Sequence, residues 1–162
     1  MAEDRQGPED AQVVRLLERL QAMAVRQQQF ERAMAAALVI DRTSLEVVYQ
    51  LVAHGPSTPT EIARAVGLST AATAQVLKRL DAGGHLDRSQ HTSDRRKVVI
   101  SAASATAARA RDLTDPFISA AEGLLRGTAP DDLDRIAWFL EAMTDLYREA
   151  GPPPGPPRGA VG

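Results

Sequence analysis

The chain has 162 residues, 44% hydrophobic and 25% charged, with a formal net charge of -2. That is ordinary for a globular protein and enough for one domain with a real core. It has no Cys, which excludes a disulfide framework, a thiolate zinc site and a cysteine redox switch.

Ala is abundant and aromatics make up only 4%, so a mainly α protein is expected. The opening MAEDRQGPEDAQ is acidic and polar, unlike a secretory leader. The longest apolar run, AMAAALVI at 33–40, is too short to span a bilayer. A cytoplasmic protein without a membrane partner is expected. Charge is unevenly spread. Residues 56–100 hold seven cations and four anions, a net of +3, so positive charge gathers in one segment of an acidic chain.

Residues 1–8 read as disordered. From Val13 a long helix begins, with apolar residues at Val13, Leu16, Leu20, Met23, Phe30, Met34 and Ala37. This is a heptad seam broken at Gln27. It fits a helix packed on its own core, or one that meets a second chain. A strict seam of this length needs a long partner, which favours the second chain. A second helix starts near Thr43, where TSLE fits a capping box, and shows Leu45, Val48, Leu51 and Val52 on one face.

The third helix opens on another capping box, with Thr58 capping, Pro59 first and Glu61 closing. Gly67 stops it. Ser69 caps a fourth helix from Thr70 to about Ala82, which Gly83 and Gly84 end. Two short strands are expected at 85–90 and 96–101, with Leu86, Val98 and Ile100 facing the core. Ser101 would then cap a long Ala-rich helix that Pro116 kinks or splits. Thr128 would cap the last helix, with Pro130, Asp131 and Asp132 in its first turn. Its apolar face is Leu133, Ile136, Leu140, Met143 and Tyr147. The tail GPPPGPPRGAVG reads as disordered.

The stretch TEIARAVGLSTAATAQVLKRL at 60–80 has the form of a helix-turn-helix. Ala63 lets the helices approach, Gly67 makes the turn, Leu68 plugs the corner, and Val76 and Leu80 seat the second helix. The other face of that helix carries Thr70, Ala71, Ala74, Gln75 and Lys78. It is small and polar, so it can enter a major groove and bring Gln75 to a base edge. Lys78 and the helix start at Ser69 and Thr70 can hold phosphates. A plain solvated face is the alternative. The hairpin that follows is a wing, with HTSDRRK at 91–97 on its tip. Arg95, Arg96 and Lys97 would approach a minor groove, where narrowing concentrates negative potential. Asp94 can orient Arg96. The bland reading is a solubilising turn with a surface ion pair worth roughly 0–1 kcal/mol.

These residues resemble the MarR family of bacterial transcription regulators across roughly residues 10–150. The family pattern is met by Gly84 before the first wing strand and by Asp94 and Arg96 in the wing. The resemblance implies a winged helix-turn-helix domain between N- and C-terminal helices that intertwine into a homodimer. It implies binding of double-stranded DNA at a near-palindromic operator, usually for repression, often relieved by a small and frequently aromatic ligand. Lys78 departs from the acid that many members carry. Thr73 stands where an apolar residue is common, and ISAAS replaces the usual Leu-Thr-x-x-Gly.

The expected layout is a disordered start at 1–8, then the N-terminal dimerisation helix and second helix at 9–55. The winged helix-turn-helix occupies 56–101, the C-terminal dimerisation helices 102–150, and the Pro/Gly-rich tail 151–162. Dimer contacts are expected from Val13, Leu16, Leu20, Met23, Leu133, Ile136, Leu140 and Met143. An effector pocket would draw on Met23, Phe30, Leu45, Tyr49 and Phe117. No cofactor is expected. His54, His85 and His91 show no metal-ligand spacing. There is no nucleophile motif, phosphate loop or paired carboxylate, so an enzyme is not expected. A winged-helix module that binds proteins instead of DNA is the alternative function.

Overall fold

The computed structural model describes residues 8–90 and 98–151. In chain order the elements are α1 (Pro8–Leu38), α2 (Arg42–His54), α3 (Pro59–Ala65), α4 (Thr70–Ala82), β1 (Leu86–Gln90), β2 (Val98–Ala102), α5 (Ser104–Arg126) and α6 (Pro130–Ala150). The chain is mainly α with one antiparallel hairpin. It divides into two compact units, the first ending at Asp115 and the second beginning at Pro116.

The first unit is built around α2, which packs on α1, α3, α4 and β2. Leu45, Val47, Val48 and Leu51 of α2 are buried and meet Ile62, Val76, Leu77, Leu80, Leu86 and Ile100. From α1 only the last turns join this core, through Met34, Ala35 and Leu38. The heptad seam is therefore divided. Ala37, assigned to the seam, is exposed, and Ala35 and Leu38 are buried instead. An undistorted helix advances 3.6 residues per turn, so the contact stripe drifts off a strict heptad.

Three helix ends share one device. Leu68 N–H reaches the Ala63 carbonyl at 3.0 Å, and His85 N–H reaches Leu80 at 2.9 Å. Ile40 N–H reaches Ala35 at 3.0 Å. Each needs a left-handed residue just before the donor. Gly67 (φ 67) and Gly84 (φ 71) supply two of them, but Val39 (φ 58) supplies the third. A β-branched residue in this region costs about 1–2 kcal/mol. Val39 is 88% exposed, so its side chain recovers little by packing. Val39→Gly is expected to raise stability by about 0.5–1 kcal/mol, after the larger unfolded-state entropy of Gly is counted. Urea denaturation midpoints check this, and an unchanged or lower midpoint would contradict the strain.

The second helix is capped by Asp41, not Thr43. The Asp41 carboxylate accepts from Ser44 N–H and Ser44 Oγ, both at 2.9 Å. Because α1 ends at Leu38, Asp41 is where the chain turns into α2. The predicted caps of α3 and α4 match the structure. Thr58 and Glu61 form the full capping box, with Pro59 first, and Ser69 accepts from Ala72 N–H.

The hairpin pairs Leu86 with Ala102 and Arg88 with Ile100. Its base is tied down a second time. Ser57 and Ile100 exchange two backbone hydrogen bonds, each 2.9 Å. Leu86 and Ile100 face the core as expected, but Val98 on the same face is exposed, and Val99 on the opposite face is buried. Ser101 does not cap α5. It pairs with Asp87 inside β2, and the Ala103 carbonyl accepts the first helical bond, from Ala107.

The second unit holds the rest of α5 and α6. Helix α5 is not split at Pro116, which lies inside it. Thr128 does not cap α6 either. Its hydroxyl donates to Leu124 O at 2.9 Å, and α6 begins after Ala129 with Pro130 first and no side-chain cap. No residue of α6 is buried. Ile136, Trp138, Phe139, Leu140, Leu146 and Tyr147 are all exposed. No described helix is long and apolar enough to cross a membrane.

Candidate nucleic-acid interface

Helices α3 and α4 are joined by the turn at Gly67, and Leu68 packs half-buried against the core. The inner face of α4 is Thr73, Val76, Leu77 and Leu80, all buried. A hydroxyl at Thr73 is tolerated there because it donates to Ser69 O at 2.9 Å. Burying the inner face leaves Ser69, Thr70, Ala71, Ala74, Gln75 and Lys78 on the outer one, all exposed. This surface has no large apolar side chain.

Two adjacent cations have different environments. Arg79 is held by Asp41 at 3.2 Å, which ties α4 to the start of α2. Lys78 forms no ion pair among the described residues and faces outward with Gln75. Burial pushes the Asp41 carboxyl up, but the two Ser44 hydrogen bonds and the Arg79 guanidinium more than reverse this, and the group lies below its ordinary value. Asp41 therefore stays ionised and keeps both roles. Neither Asp41 as a cap nor its link to Arg79 follows from the sequence reading. The Asp-x-x-Ser spacing was the available signal for the cap, while the link spans 38 residues.

The wing residues Asp94, Arg95, Arg96 and Lys97, with His91, lie outside the described residues. The described base of the hairpin carries Arg88, which meets Asp81 of α4 at 3.3 Å. His54 contacts the Gln50 carbonyl and His85 contacts Thr106 Oγ1. Among the described residues no three His, Asp or Glu gather as a metal site.

Of the residues expected at a dimer contact, Val13, Leu16, Met23, Ile136 and Leu140 are exposed. Leu20, Leu133 and Met143 are half-buried. Of those expected around an effector, Leu45 is in the core, and Phe30 and Tyr49 pack partly buried against it. Burial, then the charge of Glu31, raises the Tyr49 phenol. Met23 and Phe117 are exposed. An open cleft of about 560 Å³ lies elsewhere, lined by residues that include Ala35, Val39, Asp41, Ser44, Arg79 and His85.

A helix-turn-helix with an exposed small polar helix face, followed directly by a hairpin fixed to the same core, defines a winged helix-turn-helix transcription regulator. The chain belongs to the MarR family. The family model described as MarR family matches residues 40–98. The HTH-type transcriptional regulator YcgE of Bacillus subtilis (strain 168) is 31% identical over 120 residues, spanning 74% of this chain and 78% of that protein. Among solved structures, RV1404 from Mycobacterium tuberculosis superposes with a TM-score of 0.60 at 19% identity, covering 90% of this chain and 97% of that one. A MepR mutant of S. aureus bound to an oligodeoxyribonucleotide gives 0.53 at 17% identity, covering 82% of this chain and 96% of that one. These two likenesses are of fold.

Proposed function

We propose that this MarR-family regulator represses transcription as a homodimer on a near-palindromic operator, with a small-molecule effector that loosens the complex. The outer face of α4 carries the reading. Thr70, Ala74 and Gln75 enter the major groove, and Lys78 takes a phosphate. Arg95, Arg96 and Lys97 approach the minor groove. The oligodeoxyribonucleotide-bound MepR mutant of the same fold supports this reading. The dimer is supported by the apolar residues left exposed on the first half of α1 and on α6, among them Leu16, Leu17, Met23, Ile136 and Leu140. An exposed apolar surface of this extent is unusual for a monomer.

The test joins assembly to binding. Sedimentation at micromolar concentration is expected to give a dimer, and Leu140→Glu a shift toward monomer. Gel shifts with DNA from upstream of the gene are expected to show a two-fold site with half-sites about 10 bp apart. Affinity should fall steeply with salt. A monomeric parent protein, or one indifferent to that DNA at low ionic strength, would refute the proposal.

A further inference from the structure

Beside the outer face of α4 lies a small concavity of about 200 Å³, lined by Pro59, Thr60, Thr70, Ala74, Leu77 and Arg88. Three elements meet there, the start of α3, one flank of α4 and the strand β1. Residues 70, 74, 77 and 81 recur every three or four positions and so form one stripe along α4. Gln75 and Lys78 lie on the next stripe round. The concavity therefore borders the reading face on the side of the hairpin.

Arg88 closes it. The side chain is 45% exposed and, among the described residues, is held by one contact, Nε to Asp81 Oδ2 at 3.3 Å. Asp81 lies one turn beyond Leu77 on the same stripe, so the guanidinium is drawn along the α4 flank. That contact uses only Nε. The four N–H groups on Nη1 and Nη2 have no protein partner among the described residues. Thr60 and Thr70, both exposed, add hydroxyl donors to the same rim. A fixed cationic fork with two hydroxyls around a shallow hollow matches a phosphodiester, which offers two charged oxygens. Within a bulk acidic chain, this is a further anion-accepting place on the face that would meet DNA.

We infer that the hollow seats a backbone phosphate of the operator, with Arg88 as the contacting residue and Asp81 as a positioning residue. When α4 occupies a major groove, a sugar–phosphate strand borders each of its flanks. The hollow lies where the strand on the hairpin side would pass. The contact is independent of base sequence, so it sets register and affinity rather than specificity. This inference rests on the DNA-binding reading above.

The experiment measures affinity for operator and for unrelated duplex against salt concentration, with melting temperature in parallel. Arg88→Ala is expected to weaken both duplexes about tenfold and to reduce the salt slope by about one. Its melting temperature should stay near that of the parent, since the surface pair it breaks contributes little. Arg88→Gln retains a donor for Asp81 and gives the same binding result should the Ala variant lose its hairpin. Asp81→Asn keeps the cation but frees it, so the slope should hold while affinity falls a few-fold. Arg88→Lys should restore the slope. If Arg88→Ala and Arg88→Gln bind with the affinity and slope of the parent, the seat does not exist, whatever the parent does. A parent that binds no duplex instead overturns the DNA-binding reading itself.

Discussion

Ala74→Glu is expected to abolish operator binding while leaving the fold intact. Ala74 is exposed at the centre of the outer face of α4, and Glu is almost as good a helix former as Ala. Melting should therefore change little. The new carboxylate would lie against base edges and between phosphates. Opposing like charges at an interface costs several kcal/mol, which corresponds to a loss on the order of 100-fold or more. Gel shifts and circular dichroism on the same preparation separate the two effects. Retained affinity would mean that this face of α4 is not the one that meets DNA.

Ile100→Ala is expected to cost the most stability of any single truncation in the hairpin. Ile100 is fully buried in the core, where β2 packs on α2 and α3, and its backbone is bonded to Ser57 in both directions. Truncating a buried Ile costs about 2–5 kcal/mol through lost burial and the cavity left behind. Against a total of about 5–15 kcal/mol for a small protein, that is a large share. Urea denaturation measures it directly. Because the backbone bonds to Ser57 survive the substitution, the hairpin should still form at low denaturant, with its anchor loosened. A loss under about 1 kcal/mol would show that the hairpin is not fixed through this residue.

How much of this was legible follows from the range of each interaction. The caps of α3 and α4 were readable, because a cap bonds residues three apart and both partners stand together in the sequence. The turn at Gly67 was readable for the same reason. The start of α2 was not. Thr43 and Asp41 are both good cap residues, and the choice depended on α1 ending at Leu38 with Val39 in a conformation that its residue type disfavours. Ser101 was read both as strand and as the cap of α5, and only the first reading holds. It is drawn into β2 by Asp87 across the hairpin, a partner fourteen residues away in sequence. Val98 shares the face of Ile100 yet is exposed, while Val99 on the opposite face is buried, so strand alternation alone did not decide which valine is covered.

The outer face of α4 was legible because it is defined by what it lacks. Small or polar residues at 70, 71, 74, 75 and 78 leave no bulky apolar group to bury. Arg88 was missed as part of a site because its meaning depends on Asp81 and on the start of α3. The apolar stripe of α1 shows the same limit. The spacing revealed a stripe, but apolar residues look alike whether they meet their own core or another surface. Only the packing showed that Met34, Ala35 and Leu38 are covered by α2 while Leu16 and Met23 stay exposed.

Helix identity, the two capped starts of the helix-turn-helix and the polarity of its outer face came from the order of residues alone, since each depends on neighbours within one helical turn. The third dimension decided where α1 stops, which valine of β2 is buried, how Asp41 binds Arg79 and how Asp81 holds Arg88. Those choices rest on contacts between segments far apart in the chain. Several arrangements of such contacts suit the local sequence equally well until the core selects one.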